Sequence, residues 1–413
     1  MTLYKFQKKC RLCNVSNFKL ILDLGKQPPS NAFLPKNKLK TKEQKFPLRL
    51  YLCKNCFHLQ LRDIVDKTYL FSNYFYMTGV NKPMVKHFQD YSKYLYQKFL
   101  KKINNPFVIE IGSNDGTLLK NFLKYDVDVL GIEPAKNLAK FSKKSKINTI
   151  SSFFNLSLAE KISKKQKADI IVANNVLGHV NDLDNFIAGI SLLLKDNGIF
   201  IFEVPHSYEL LKKLEFDTIY HEHISYFSII PLQKWFKKHK LEIFNVKKQK
   251  IHGGTIRVFV SKQKQYKINK SVNKIQEQEE KFGIKRMQTY DNFLNRIELL
   301  KKSLRKTIFD LRKNGYTIFG YGSPAKGNVL LNYCNLDNKI IDFLIDVTPL
   351  KQNKYTPGTH IPIKSSKIVS KLSKKHVGLL LAWNYKNEIL IKEKQFRKNG
   401  GKFLLPIPKP TII

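Results

Sequence analysis

Long hydrophobic runs are missing from this 413-residue chain. No apolar stretch approaches the ~18 residues that a bilayer-crossing helix needs. The first ten residues, Met-Thr-Leu-Tyr-Lys-Phe-Gln-Lys-Lys-Cys, carry lysines but no apolar core, so they do not read as a signal peptide. The expectation is a soluble, cytoplasmic protein with no membrane insertion. Acidic residues are also scarce, 32 against 74 basic ones, which gives a formal net charge of +42. Such an excess suits a nucleic-acid or anionic-membrane partner. Yet the lysines fall in scattered doublets such as Lys8-Lys9, Lys101-Lys102 and Lys374-Lys375, and no Arg-rich or RNP-like motif is present. The excess therefore reads as solvated lysine-rich faces, with no nucleic-acid partner expected. A basic RNA-binding protein is the rival that charge alone motivates, and RNA binding titrated across salt concentrations would test it. There is no short internal repeat.

Cysteine is sparse too, five residues in all, but four of them form two pairs, Cys10-Arg-Leu-Cys13 and Cys53-Lys-Asn-Cys56; Cys334 stands alone. In a cytoplasmic chain, two C-x-x-C pairs point to one Zn²⁺ held tetrahedrally by Cys10, Cys13, Cys53 and Cys56 rather than to disulfides. Four thiolates close the coordination shell, so the ion is expected to be structural. Between the pairs lies an excursion containing the turn-rich Gln27-Pro-Pro-Ser-Asn31, and His58 is expected on the module's surface. Residues 1–70 thus read as a zinc module unable to make much of a core alone.

A G-x-G-x-x-G fingerprint is lacking. In its place stands Phe107-Val-Ile-Glu-Ile-Gly-Ser-Asn-Asp-Gly-Thr-Leu-Leu119, a buried β-branched strand that breaks at Gly112 and Gly116. A helix carrying Leu118, Leu119 and Phe122 is expected to follow and to offer its free N–H groups to a ligand. Glu110 precedes the turn, Asn114 and Asp115 lie within it, and the next strand, Asp128-Val-Leu-Gly-Ile-Glu133, ends on an acid placed to accept from ribose hydroxyls. This acidic corner suits a cationic ligand better than a diphosphate, which favours S-adenosyl-L-methionine over NAD. The candidate cofactor-binding residues are Glu110, Gly112, Asn114, Asp115, Gly116, Glu133 and, at the end of the fourth strand, Asn174.

Strand-like runs at 107–111, 128–132, 148–151, 169–173 and 198–204 alternate with helical segments, and runs at 241–246 and 255–260 follow with no long helix between them. Five parallel strands closed by a hairpin pair predict an α/β, class I (Rossmann-like) methyltransferase sheet. Charged helical sequence from 263 to 310, broken at Gly283, forms a bridge. A second Rossmann-like α/β unit begins at Tyr316-Thr-Ile-Phe-Gly-Tyr-Gly-Ser-Pro-Ala-Lys-Gly-Asn328 and continues with strands at 340–345 and 376–383 and a helix from about 385 to 399. The expected division is a zinc-binding module (1–70), a methyltransferase domain (71–262), a helical bridge (263–310) and a C-terminal Rossmann-like domain (311–413).

The fourth strand runs into Asn174-Asn-Val-Leu-Gly-His179, without the D/N-P-P-Y box that holds a planar amine, which argues against a nucleobase acceptor. The densest functional cluster is Asp217-Thr-Ile-Tyr-His-Glu-His-Ile-Ser-Tyr-Phe227. In extended chain His221 and His223 would share a face, with Glu222 opposed. Two imidazoles, two carboxylates and two phenols suit acid–base chemistry. Tyr76, in an aromatic loop before the first long helix, is placed to overhang such a site. Lys326 and Asn328, on the helix opening after Gly322, are candidates for holding a diphosphate, and Lys351, Tyr355 and His360 for the nucleotide or the interdomain wall.

Together the paired C-x-x-C motifs, E-I-G-S-N-D-G-T-L-L, N-V-L-G-H-V, F-D-T-I-Y-H-E-H-I-S-Y-F-S, G-Y-G-S-P-A-K-G-N and Y-T-P-G-T-H-I-P-I resemble the sugar C-methyltransferases, in that family's order and over essentially the whole chain. The resemblance implies S-adenosylmethionine-dependent addition of a branch methyl to a nucleoside-diphosphate 4-keto-6-deoxy sugar. It implies His223 as the general base, Tyr220 and Glu222 as residues that position it and bind the sugar, and His179 on the side of the 4-keto oxygen. Methylation of oxygen or nitrogen on a nucleotide sugar is the alternative within the same fold.

Overall fold

The computed structural model describes residues 3–71 and 77–413. The N-terminal unit contains β1 (Tyr4–Phe6), β2 (Phe18–Gln27), β3 (Phe46–Cys53), β4 (Leu59–Leu61) and β5 (Asp63–Val65). Antiparallel pairing joins β2 to β3 and β3 to β4, while β1 pairs separately with β5. The second knuckle is the β3–β4 turn, where Phe57 is forced to φ 63°. That turn drives His58 inward. Its ring is fully buried 5.2 Å from the ring of Phe227, so the expected surface position is corrected.

The central unit contains β6 (Phe107–Ile111), β7 (Asp128–Ile132), β8 (Thr149–Ile150), β9 (Ala168–Asn174), β10 (Leu194–Pro205), β11 (Ser225–Tyr226), β12 (Leu241–Gln249) and β13 (Thr255–Lys262). Seven of these form one sheet in the order β12-β13-β10-β9-β6-β7-β8. The five strands from β8 to β10 are parallel, and β13 and β12 close the edge antiparallel, as the sequence pattern predicts. Every residue of β6 is buried, the mark of a strand covered on both faces. The helix Lys82–Leu95 buries Met84, Phe88, Tyr91 and Leu95 against one face. β6 has β7 on one side and β9 on the other, so the order reverses there and a crevice opens at the carboxyl ends of these strands. The helix expected after Gly116 is absent: Asn114 and Gly116 take left-handed angles (φ 51° and 79°), and only 3₁₀ turns follow, at Leu119–Asn121 and Leu123–Tyr125.

β11 leaves the central sheet. It pairs antiparallel with β4, so the zinc module's sheet becomes β11-β4-β3-β2. The bridge is two helices, Lys270–Phe282 and Met287–Lys313, separated at Gly283 (φ 91°). Along the longer helix Tyr290, Phe293, Ile297, Leu300, Leu304, Ile308 and Leu311 make one apolar stripe at helical spacing. The C-terminal unit contains β14 (Thr317–Tyr321), β15 (Phe343–Asp346), β16 (Ile363–Ser365), β17 (His376–Leu380), β18 (Lys402–Leu405) and β19 (Thr411–Ile412). Their order is β16-β15-β14-β17-β18-β19, parallel except for β19. The helix expected near 385–399 is two short ones, Lys386–Lys392 and Lys394–Lys398. One hydrophobic cluster runs from Leu22, Leu48 and Leu61 of the zinc module, through the long helix, to Ile318, Leu344 and Leu379 of the C-terminal sheet. The small module therefore shares its core rather than supplying one.

Candidate active site

A cavity of about 980 Å³ opens where the three units meet. One wall is the switch point of the central sheet: Glu110, Gly112, Ser113 and Asn114 after β6, Glu133 after β7, and Asn174 at the end of β9. Gly112 (φ 69°) packs so closely that an added Cβ would stand 2.5 Å from Val176 Cγ2. Glu133 turns back on the corner, one oxygen accepting from Asn114 N–H and the other from Ala135 N–H, both at 2.8 Å. Burial raises its pKa. Glu110 is raised further, first by burial and then by the charges of Asp115 and Glu133. Glu110 Oε2, Ser113 Oγ and both side-chain polar atoms of Asn174 are buried without a well-aligned hydrogen-bond partner. Unsatisfied acceptors beside clustered carboxylates fit a ligand that brings cationic charge and hydroxyl donors. Asp115 and Gly116 stand behind this wall. The Asp115 carboxylate accepts from Gly79 N–H at 2.7 Å, and Asn114 Oδ1 accepts from Thr78 N–H at 3.0 Å, so the corner is held to the segment before the Lys82–Leu95 helix.

A second wall is the turn between β10 and β11. It is not extended: a 3₁₀ turn covers Phe216–Thr218, and His223 N–H donates to Tyr220 O at 2.8 Å. Consequently His221 and His223 do not act as one face. His221 Nε2 lies 3.2 Å from Phe46 O in the zinc module, and burial lowers its pKa to about 4. His223 faces His179 instead, with ring centroids 5.0 Å apart. His223 Nδ1 lies 3.1 Å from Thr218 O, which only accepts, so Nδ1 carries the proton of the neutral ring. That leaves Nε2 to accept from the Tyr220 hydroxyl at 2.7 Å. His179 Nδ1 likewise donates to Glu222 O at 2.5 Å, and burial lowers its pKa. The Glu222 carboxyl accepts from Asn31 Nδ2 at 2.8 Å and is pushed up to about 7 by burial, against the pull of Asn31 and Lys351.

The third wall is the switch point of the C-terminal sheet, with Pro324, Ala325 and Lys326 after β14, Ala382, Asn384 and Tyr385 after β17, and Lys351. Lys326 is lowered to about 8 by burial, with Asp217 and Glu215 pulling the other way, and its ammonium sits 3.8 Å from the Trp383 ring centre. Trp383 Nε1 donates to Asp217 Oδ2 at 2.7 Å, tying this wall to the histidine turn. Lys351 Nζ donates to Ser323 O at 2.8 Å. Asn328 lies behind the wall and donates to Ser30 O at 2.7 Å. His360 pairs with Glu43 at 2.7 Å, and Tyr355 bridges to Leu34, so both join the C-terminal unit to the zinc module away from the cavity. Tyr76 lies outside the described residues. Sequence reasoning missed Asn31 and Trp383 as parts of the site, and the tie from Trp383 to Asp217, because no local pattern marks residues that meet only in the tertiary fold.

The four sulfurs of Cys10, Cys13, Cys53 and Cys56 lie within 4.8 Å of one another, Cys10–Cys56 at 3.6 Å and Cys13–Cys53 at 3.5 Å. Tetrahedral zinc with Zn–S bonds of about 2.3 Å requires sulfur spacings of about 3.8 Å, so the cluster fits that ion.

Family models match in three consecutive segments: a zinc binding domain at residues 10–71, a methyltransferase domain at 85–246 and a C-methyltransferase C-terminal domain at 250–408. The chain is 33% identical over 410 residues to the C-methyltransferase NovU of Streptomyces niveus, spanning 98% of this chain and 96% of that protein. The chain belongs to the C-methyltransferase family. As such it is an S-adenosylmethionine-dependent enzyme acting on a small molecule, with a four-cysteine zinc site. Partial relatives of this C-methyltransferase include the ubiquinone biosynthesis O-methyltransferase of Pelagibacter ubique, 30% identical over 33% of this chain and 57% of that protein. Among solved structures, an S-adenosylmethionine-dependent methyltransferase of Clostridium acetobutylicum aligns with 42% of the chain and 92% of its own length, at 14% identity and a TM-score of 0.35. No helix among the described residues of this C-methyltransferase is long and apolar enough to cross a membrane.

Proposed function

We propose that this C-methyltransferase adds a branch methyl to the carbon beside the ketone of a nucleoside-diphosphate 4-keto-6-deoxy sugar. The observation that carries the reading is the His179–His223 pair, 5.0 Å apart, in the same cavity as the acidic corner. Glu110, Gly112, Asn114, Glu133 and Asn174, backed by Asp115 and Gly116, are the residues that would hold the cofactor. Bound S-adenosylmethionine supplies an electrophilic methyl group on a sulfonium.

A carbon beside a ketone becomes nucleophilic only when its proton is removed, so the cavity must provide a base and a donor for the oxygen that gains charge. His223 offers Nε2 as the base, because Nδ1 is committed to Thr218 O. Tyr220 donates to that lone pair, so during turnover its phenol either turns aside or relays the proton. His179 has spent its Nδ1 proton on Glu222 O. The Glu222 carboxyl, pushed up to about 7 by burial, keeps a protonated fraction near neutral pH that can donate to the developing oxyanion. Lys326 and Lys351 line the C-terminal wall, where a nucleoside diphosphate would compete with Asp217 and Glu215 for the Lys326 ammonium. We assign residues 1–70 to the zinc module, 71–262 to cofactor and acid–base chemistry, 263–310 to the bridge and 311–413 to the nucleotide, in a cytoplasmic enzyme. Incubation with methyl-labelled cofactor and a panel of 4-keto nucleotide sugars tests this. A label bonded to ring carbon supports it; a label on oxygen or nitrogen rejects it.

A further inference from the structure

Arg11 lies between the first two zinc-ligating cysteines, yet the residue is only 4% exposed and its guanidinium points into the protein. Burying a guanidinium is costly unless its donors find acceptors, and this group stays charged wherever it sits. Nη1 and Nε find acceptors on three separate segments, while Nη2 is buried without one. Nη1 donates to Gln60 Oε1 at 3.0 Å and to Leu61 O at 2.7 Å, both on β4. It also reaches Ile224 O at 3.3 Å, while Nε donates to Asn181 Oδ1 at 3.2 Å. Ile224 directly follows His223, and Asn181 is two residues beyond His179.

These contacts belong to a continuous frame. Gln60 Nε2 approaches Cys10 Sγ at 3.1 Å, so the residue that receives Arg11 also touches the thiolate site. Leu61 N–H donates to Ile224 O at 2.9 Å, and Ile224 N–H donates to Gly178 O at 2.7 Å, linking the two histidine loops through one peptide. The pairing of Ser225 with Gln60 and Tyr226 with Leu59 extends the frame into the zinc module's sheet. Four thiolates around a divalent cation carry net negative charge, which favours a buried guanidinium nearby.

We propose that Arg11 is a positioning residue for the histidine pair: it clamps the backbone after His223 and the loop after His179, so that the order of the zinc site sets the spacing of the two imidazoles. This rests on the acid–base reading of those histidines. It gives the zinc module a part in the chemistry without placing the ion near the reacting carbon.

The test uses the full-length, zinc-loaded enzyme with Arg11→Met, which keeps an apolar side chain of similar length, and Asn181→Ala, which leaves the knuckle intact. Zinc content is read by metal release, S-adenosylmethionine affinity by calorimetry, and the histidine rings by NMR of ¹³C-labelled imidazoles, assigned with His179→Asn and His223→Asn. Both variants are expected to keep zinc and cofactor affinity while the His179 and His223 ring signals shift. The kcat of Arg11→Met should fall about 10–100-fold with little change in KM, as expected when reacting groups are misplaced by a fraction of an ångström. Unmoved ring signals in either folded variant overturn the proposal, as does a lowered melting temperature with wild-type ring signals and kcat. If Arg11→Met loses zinc, Asn181→Ala decides alone, and wild-type His179 signals in it are fatal. Ring signals that move without any change in turnover, beside a fully active His223→Asn, would instead count against the acid–base reading.

Discussion

His223 sits between two hydrogen bonds of opposite sense, donating to Thr218 O and accepting from Tyr220. A ring fixed in that tautomer is ready to take a proton at Nε2. His223→Ala should therefore retain cofactor affinity by calorimetry while methyl transfer falls by about 10²–10⁴-fold, the usual contribution of a positioned base. Glu222 carries a pH signature. Its folded value of about 7 exceeds the 4.5 of a free glutamate, so its contribution to stability is complete below about pH 4.5 and is lost as pH rises through 7. Thermal unfolding should show Glu222→Gln gaining on the wild type from pH 5 to pH 8, by no more than about 3 kcal/mol. A gap independent of pH would mean that Glu222 is ionised throughout. At this scale the sequence revealed the residue types but not their partners. The His-Glu-His run displayed its chemistry openly, but only the 3₁₀ turn before it shows that His221 belongs to the zinc module and His223 to His179.

At the scale of elements, β6 and its corner were legible because a both-faces-buried strand reads as an unbroken apolar run, and Gly112 marks its end. The loop beyond was not, because left-handed residues at Asn114 and Gly116 break the helix that Leu118, Leu119 and Phe122 suggest. Gly112→Ala combines φ 69° with a Cβ 2.5 Å from Val176, and such strain costs on the order of 1–3 kcal/mol. Calorimetry should show weakened S-adenosylmethionine binding, with zinc content unchanged. β11 was invisible for a different reason: two residues carry no periodicity, and their partner β4 lies far away in sequence. The same distance hid the contacts of Arg11, which nothing in the sequence singles out within Cys10-Arg-Leu-Cys13. Because β11 depends on β4, and the β3–β4 turn carries Cys53 and Cys56, removing zinc with a chelator should loosen the histidine turn as well as the module. Hydrogen exchange at Leu61 and at Ile224, the residue tied to Gly178, should rise together. Exchange confined to the N-terminal sheet would show that the two are uncoupled.

Across the whole molecule, two Rossmann-like sheets present their switch points to one cavity, and the zinc module with its shared core completes the enclosure. That the chain holds a cysteine module and an α/β methyltransferase sheet could be read from the sequence, because each carries its own motif. The meeting of the three units could not, since Trp383 to Asp217, Asn31 to Glu222 and Asn328 to Ser30 join residues from separate parts of the chain. The charge of +42 says little about this arrangement, for the site's own logic lies in a few buried acids and histidines. The most direct test follows the proton that must leave carbon. In deuterated water, with a 4-keto nucleotide sugar and no methyl donor, the wild type should exchange deuterium into the position beside the ketone and His223→Ala should not. A carbon-bound methyl product formed by the wild type without any such exchange, or equal exchange by His223→Ala, would contradict His223 as the base.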